Sequence, residues 1–175
     1  MKTGLMHLYI GDGKGKTTAA VGLAARAAGS GMKVVFAQFL KGRVTGEVAS
    51  LEALGVKVIR SDKSMGFVWQ MNEEQKEECR AEQQRLLGEI HDMVINEPDT
   101  GLLVVDEALD VIALGLIDEQ EILGIIEKKP ESLEIVFTGH TAPEWLIEKA
   151  DYVTEMKKIK HPYDQGVKAR TAIEY

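Results

Sequence analysis

Short apolar runs alternate with amphipathic stretches along the whole chain. Leu5–Ile10 reads as an apolar strand ended by a glycine cluster, and Thr17–Ala28 as an alanine-rich helix stopped at Gly29-Ser30-Gly31. "KVVFAQFL", Lys33–Leu40, is almost continuously apolar, as suits a strand covered on both faces. A short helix is predicted over Glu47–Leu54 and a third strand over Val56–Arg60. Asn72 with Gln75 has the spacing of a capping box, with Glu73 and Glu74 in the first turn of a long helix reaching about Ile95. "LLVVDEA", Leu102–Ala108, is the most apolar strand and carries two acids at its end. Asp118 with Glu121 caps a helix that runs towards Lys129 and stops at Pro130. "LEIVFTG", Leu133–Gly139, is a further strand, Pro143 suits the first turn of the next helix, and a last strand is predicted over Tyr152–Ile159.

Strands and helices alternate without an internal repeat or a low-complexity linker. That order predicts an α/β fold, a single domain over residues 1–175, with a mostly parallel sheet of five to six strands and helices on both faces. Ligands of such sheets gather at the carboxyl ends of the strands, where both the glycine cluster and the acid pair Asp106-Glu107 fall.

Composition narrows the classes. The chain has 175 residues, 45% hydrophobic and 28% charged, which is ordinary for a globular protein. A formal charge of −7 argues against a nucleic-acid groove, so no nucleic-acid partner is expected. Bound phosphate has to be held by local amides and cations. The single cysteine, Cys79, rules out an internal disulfide or a cysteine-only zinc site, and it reads as an ordinary side chain of a polar helix. With no apolar leader and no membrane-length segment, a cytoplasmic protein is expected, with no membrane partner.

The glycine cluster carries the first chemical signal. "GDGKGKTT", Gly11–Thr18, has only Asp12, Gly13 and Lys14 before Gly15-Lys16, one residue fewer than the usual phosphate loop. Three glycines in five residues still let the backbone form a nest for anionic oxygens. Lys16 can meet the phosphates, Thr17 can offer a hydroxyl to Mg²⁺, and the following helix adds its positive end. A dinucleotide site fits less well, because no acid ends the next strand. Asp106 and Glu107 are the natural partners for Mg²⁺, although spacing does not say which acid touches it.

"SMGFVWQM", Ser64–Met71, sets Phe67 and Trp69 in a loop of a chain only 6% aromatic. Read alone, the loop is better explained by aromatics packing on the core. A flat apolar surface for a large planar ligand is the alternative. The tail cluster His161-Pro162-Tyr163-Asp164 with Gly166 and Lys168 either closes over a site or is a surface return. His7 and His91 lack metal-ligand spacing and read as structural or exposed, while His140 at a strand end is a weaker candidate for phosphate contact.

Taken in order, "GDGKGKTTAAVGLAARAAGSG", "VVFAQFLKG", "MGFVW", "VVDE", "FTGHTAPEWLIEKAD" and "KKIKHPYDQGVKA" resemble the P-loop-type ATP:corrinoid adenosyltransferases. The resemblance covers nearly the whole chain. It implies a RecA-like P-loop fold and the same shortened loop. It also implies transfer of the 5′-deoxyadenosyl group of ATP to the Co(I) of cobalamin or a precursor such as cob(I)yrinic acid a,c-diamide. Inorganic triphosphate leaves, and the product serves adenosylcobalamin biosynthesis or salvage. By the same resemblance Gly11, Asp12, Gly13, Lys14, Gly15, Lys16, Thr17 and Thr18 lie on ATP, with Lys16 neutralising phosphate charge. Thr17, Glu107 and Asp106 serve Mg²⁺. Phe67 and Trp69 line the lower corrin face and displace the lower axial ligand, so Lys16, Phe67 and Trp69 carry the catalysis. A reduced flavin or flavoprotein supplies electrons, and the assembly is a homodimer.

Three departures from the pattern stand out. Members often have Asn where this chain has Asp12 and Arg where it has His140. Many carry an N-terminal extension that helps to cover the corrin, whereas this chain begins almost at the first strand, so cover here is expected from elsewhere or is absent. Two other classes remain open from the residues alone: a different P-loop kinase or ATPase, and a non-catalytic ATP- or corrinoid-binding module. Missing zinc cysteines count against thymidine kinase, and the lack of an N-K-x-D motif counts against a GTPase.

Overall fold

The computed structural model describes residues 3–42, 45–63, 66 and 68–174. Its centre is one six-stranded sheet in the order β3-β2-β4-β5-β1-β6, with every neighbouring pair parallel. The strands are β1 (Met6–Ile10), β2 (Val34–Gln38), β3 (Lys57–Arg60), β4 (Leu102–Asp106), β5 (Glu134–Thr138) and β6 (Tyr152–Glu155). The helices are α1 (Lys16–Gly29), α2 (Gly46–Ala53), α3 (Glu73–Asn96), α4 (Ala108–Ala113), α5 (Glu119–Lys128) and α6 (Glu144–Lys149). The α/β class and the parallel sheet expected from the alternation are therefore what the chain adopts.

Every residue of β2 and β4 is buried, which is why their sequences run apolar without alternating. Period-two geometry then divides their side chains between two cores. Val35, Ala37, Leu103, Val105, Ile135 and Phe137 face α3 to α6, while Val34, Phe36, Leu102, Val104 and Val136 face α1 and α2. Ala20 and Ala24, one turn apart on α1 and both fully buried, let that helix lie close to the sheet. Among the described residues no helix is long and apolar enough to cross a membrane.

Both predicted caps form. The Gln75 amide donates to Asn72 Oδ1 (2.9 Å) and the Asn72 amide donates to Gln75 Oε1 (3.0 Å). The pair satisfies two donors at the start of a 24-residue helix. Asn72→Ala is expected to lower stability by about 1 kcal/mol in urea unfolding, and an unchanged midpoint would show that the cap contributes nothing here.

Three strands stop short of expectation by two residues or more, the first being β2, which ends at Gln38 instead of Leu40. β4 stops at Asp106 instead of running to Ala108, because Glu107 takes a left-handed φ of 59° and opens α4, a helix too short to show a period in sequence. β6 stops at Glu155 instead of Ile159, because its partner β1 ends opposite it at Ile10 and the chain then turns into the glycine loop. Register levels the strand ends: Gln38 lies opposite Asp106, and Tyr9 opposite Thr138. The segments that follow β1, β2, β4 and β5 thus leave the sheet along one edge.

Candidate active site

The glycine loop leaves β1 and is tied to its neighbours by backbone bonds. The Gly11 amide donates to the His140 carbonyl (2.9 Å), and the Gly13 amide donates to the Met156 carbonyl (2.6 Å). A Cβ on Gly11 or Gly13 would collide with that Met156 carbonyl, so close backbone approach requires glycine at both positions. Asp12 turns away from the loop's interior. Its Oδ1 accepts the Lys158 amide (2.9 Å), and that bond holds the carboxyl below its ordinary value. This acid is thus engaged in pinning the loop to the chain beyond β6.

Lys16 opens α1 and folds back over the loop, where Nζ donates to the Gly11 carbonyl (2.6 Å) and the Gly13 carbonyl (2.9 Å). Thr17 reaches across to β4. Its hydroxyl donates to the Asp106 carboxylate, 3.0 Å from Oδ1 and 3.2 Å from Oδ2. Asp106 is fully buried and also accepts the Thr138 hydroxyl (2.7 Å), which in turn accepts the Glu107 amide (2.9 Å).

One further residue completes the cluster, and the sequence reading did not single it out. Lys41, three positions past the end of β2, places Nζ 2.7 Å from Asp106 Oδ2, 3.4 Å from Glu107 Oε1 and 3.2 Å from Thr17 Oγ1. Burial by itself would lower the Lys41 pKa, but Asp106 and Glu107 outweigh it and hold the value above that of an ordinary lysine. Burial pushes the Glu107 carboxyl up to about 7 against the pull of Lys41, with Asp106 and Asp110 adding to the rise. The available signal is positional: in "VVFAQFLKG" a lysine follows the carboxyl end of a buried strand, at the edge where the acids also fall.

A cavity of about 230 Å³ opens over Gly13–Thr18, with Glu107, Asp110 and His140 in its wall. Asp110 Oδ1 lies 2.9 Å from His140 Nδ1 and accepts the His140 amide at 3.0 Å, so this histidine is fixed at the cavity's rim. The chain's end also lines the cavity, through Ile173 and Glu174. Glu174 is paired with Arg170, a bond that draws its carboxyl down to about 2. The tail cluster itself forms a local turn over Pro162–Gln165, with Lys158 bonded to Asp164 at 3.2 Å and Tyr163 exposed. The tail therefore returns to the site by its last residues, beyond the cluster picked out in sequence. A larger cavity of about 430 Å³ lies between α3 and α5 and shares no residue with the glycine loop. His91 lines it, whereas His7 bonds Glu134 (2.6 Å) and stacks on Tyr152, a structural setting.

Thr17, Asp106 and Glu107 are hard oxygen donors that already surround a cation, and this donor chemistry fits Mg²⁺. That ion commonly takes one or two carboxylates and completes its shell with water and substrate phosphates.

Trp69 sits in a single helical turn, Val68–Gln70, between β3 and α3. Its side chain is 75% exposed, while Val68 and Met71 on either side pack against the core. For Trp69 the core-packing reading is thus corrected: aliphatic neighbours anchor the loop and the indole faces outward. Phe67 lies outside the described residues.

The sequence model of the family "ATP:corrinoid adenosyltransferase BtuR/CobO/CobP" matches residues 2–175. The chain is 35% identical to the "Corrinoid adenosyltransferase" of Pseudomonas aeruginosa over 98% of this chain and 84% of that protein. It is 33% identical to the protein of the same name from Escherichia coli K12, over 98% of this chain and 86% of that one. It is 32% identical to the "Corrinoid adenosyltransferase CobA" of Salmonella typhimurium, again over 98% and 86%. A phosphate-type loop, an acid pair beside it with Asp106 fully buried, and a match along the full length agree, and this chain belongs to the ATP:corrinoid adenosyltransferase family.

Proposed function

We propose that the protein transfers the 5′-deoxyadenosyl group of ATP to the Co(I) centre of a corrinoid. The observation that carries this reading is the family match over residues 2–175, which takes in the loop, the acid pair and the Trp69 turn together. The Co(I) electron pair forms the bond to C5′, the C5′–O bond breaks, and its electrons leave with inorganic triphosphate. Co(I) is itself a strong nucleophile, so this chain's residues position ATP and stabilise the leaving group. The glycine loop and the start of α1 cradle the phosphates, and Lys16 shifts from the loop carbonyls to phosphate oxygens. Thr17, Asp106 and Glu107 hold Mg²⁺, which when bound supplies positive charge to the polyphosphate. Phe67 and Trp69 offer the surface for the lower corrin face. A reduced flavin or flavoprotein supplies the electrons, and the working form is a cytoplasmic homodimer without nucleic-acid or membrane partners.

Anaerobic incubation with MgATP and chemically reduced cob(I)alamin tests the reading. Adenosylcobalamin with stoichiometric triphosphate is the expected result. ADP without alkylated corrinoid would mark an ordinary kinase or ATPase, and corrinoid binding without a Co–C bond would mark a carrier. In the same assay Trp69→Ala and Phe67→Ala should retain transfer to supplied Co(I) but lose it when a flavin must reduce Co(II) on the protein. Normal flavin-driven turnover in both would remove these aromatics from the mechanism.

The raised Glu107 pKa has opposite consequences for folding and for binding. The folded value of about 7 stands above the ordinary 4.5, so the native state takes up a proton between the two. This group's contribution to stability is therefore fully present below pH 4.5 and is lost as pH rises from there through about 7. MgATP binding needs the carboxylate and runs the other way. Its affinity is expected to fall roughly tenfold per unit well below pH 7, and Glu107→Gln should flatten that profile. Calorimetric titrations from acid to neutral pH would read both, and identical profiles would remove Glu107 from the metal site.

A further inference from the structure

We propose that Lys41 is a tethered counter-cation, which neutralises the metal-binding oxygens in the nucleotide-free protein and gives them up only when the metal arrives with ATP. The proposal rests on the assignment of Thr17, Asp106 and Glu107 to the metal. Its basis is geometric. The Lys41 ammonium lies within reach of all three side chains, at 3.2 Å from Thr17, 2.7 Å from Asp106 and 3.4 Å from Glu107.

The backbone is bent on both sides to bring this about. Leu40 (φ 57°) and Glu107 (φ 59°) are two of the three non-glycine residues in the left-handed region among those described. Such conformations are costly for side chains of this kind and persist where the surroundings enforce them. Here they do. The buried Gln83 of α3 accepts the Leu40 amide through Oε1 (3.1 Å), and the Phe39 amide donates to the Asp106 carbonyl (3.1 Å). A segment that only joined β2 to α2 would need neither a strained leucine nor a buried glutamine to hold it.

The consequence is selectivity for the order of binding. With both carboxylates ionised, the one ammonium leaves the cluster a single negative charge, so a bare dication must displace a cation of the protein itself. A metal bound to ATP brings phosphates whose negative charge can receive the displaced ammonium. The free protein is thereby kept from collecting divalent metal, and the metal enters with the nucleotide.

Mn²⁺ binding to the full chain without nucleotide, read by the electron paramagnetic resonance of the free ion, tests this. Lys41→Met and Lys41→Gln are each expected to bind one Mn²⁺ about tenfold or more tightly than the parent. Lys41→Arg, which keeps the charge, should stay near the parent, and adding Asp106→Asn to Lys41→Met should abolish the gain. Equal Mn²⁺ affinity in the parent and both neutral variants overturns the role of Lys41. If loss of the ammonium unfolds the chain, recovery of the far-ultraviolet spectrum on adding Mn²⁺ alone supports it, and no recovery overturns it. A parallel titration with Mn²⁺–ATP separates the two layers. Weaker binding in Asp106→Asn leaves the metal assignment standing whatever Lys41 does, whereas unchanged binding there overturns the assignment and the proposal together.

Discussion

Lys16→Ala is expected to lower adenosyl transfer to supplied Co(I) by about 100- to 1000-fold, the range found when one preorganised charge-stabilising donor is removed from a site. Departure of triphosphate concentrates negative charge on the oxygen that leaves C5′ and on the phosphates behind it. Lys16 folds back over the loop that would hold them, with Nζ already 2.6 Å from the Gly11 carbonyl and 2.9 Å from the Gly13 carbonyl. Those two bonds also brace the loop, so the substitution removes a brace as well as a charge. The two effects can be told apart. A loosened loop weakens ATP binding without greatly changing turnover at saturation, whereas a lost charge lowers the saturated rate. We expect most of the loss in the saturated rate. A decrease of less than tenfold there would mean that the leaving group is stabilised elsewhere, and the glycine loop would lose its role in the chemistry.

What the sequence made legible follows from how local each signal is. The buried strands β2 and β4 announced themselves as unbroken apolar runs, and the caps at Asn72 and Asp118 needed only a three-residue spacing. The glycine loop, Thr17 and the acid pair are likewise written in contiguous residues. Lys41 is different. It meets Asp106 only because β2 pairs with β4 and their ends are level, a non-local arrangement that no window around Lys41 contains. The left-handed turn at Glu107 was hidden for a related reason, since an apolar strand ending in acids looks the same whether or not the backbone reverses there. Trp69 shows a third limit. In a short loop without a period, hydrophobicity does not say which side chain faces inward, and Val68 and Met71 took the inward places instead. The return of Ile173 and Glu174 to the cavity depends on the path of a polar tail, which carries no pattern at all.

Asp106→Ala should be the most damaging single change to stability in the site, at about 3–5 kcal/mol, the loss typical of removing one partner from a buried charge pair. The carboxylate is fully buried and accepts from Thr17, Thr138 and Lys41. Its removal leaves two hydroxyls short of an acceptor and an ammonium, only 19% exposed, facing the space where its closest partner stood. Glu107 Oε1, 3.4 Å from Lys41 Nζ, offers partial relief, which places the expectation towards the lower end of that range. Asp106→Asn keeps an acceptor and the shape but loses the charge, so it should cost less than the alanine variant while still weakening metal–nucleotide binding. The comparison with Lys41 makes the argument specific. If the loss in Asp106→Ala comes from an uncompensated ammonium, adding Lys41→Met should recover part of it, although the double variant has fewer hydrogen bonds than either single one. Urea unfolding of the two single variants and the double variant forms a thermodynamic cycle. Additive losses would show that the lysine and the aspartate are stabilised independently, and that the pair seen at 2.7 Å contributes nothing to holding this edge of the sheet together.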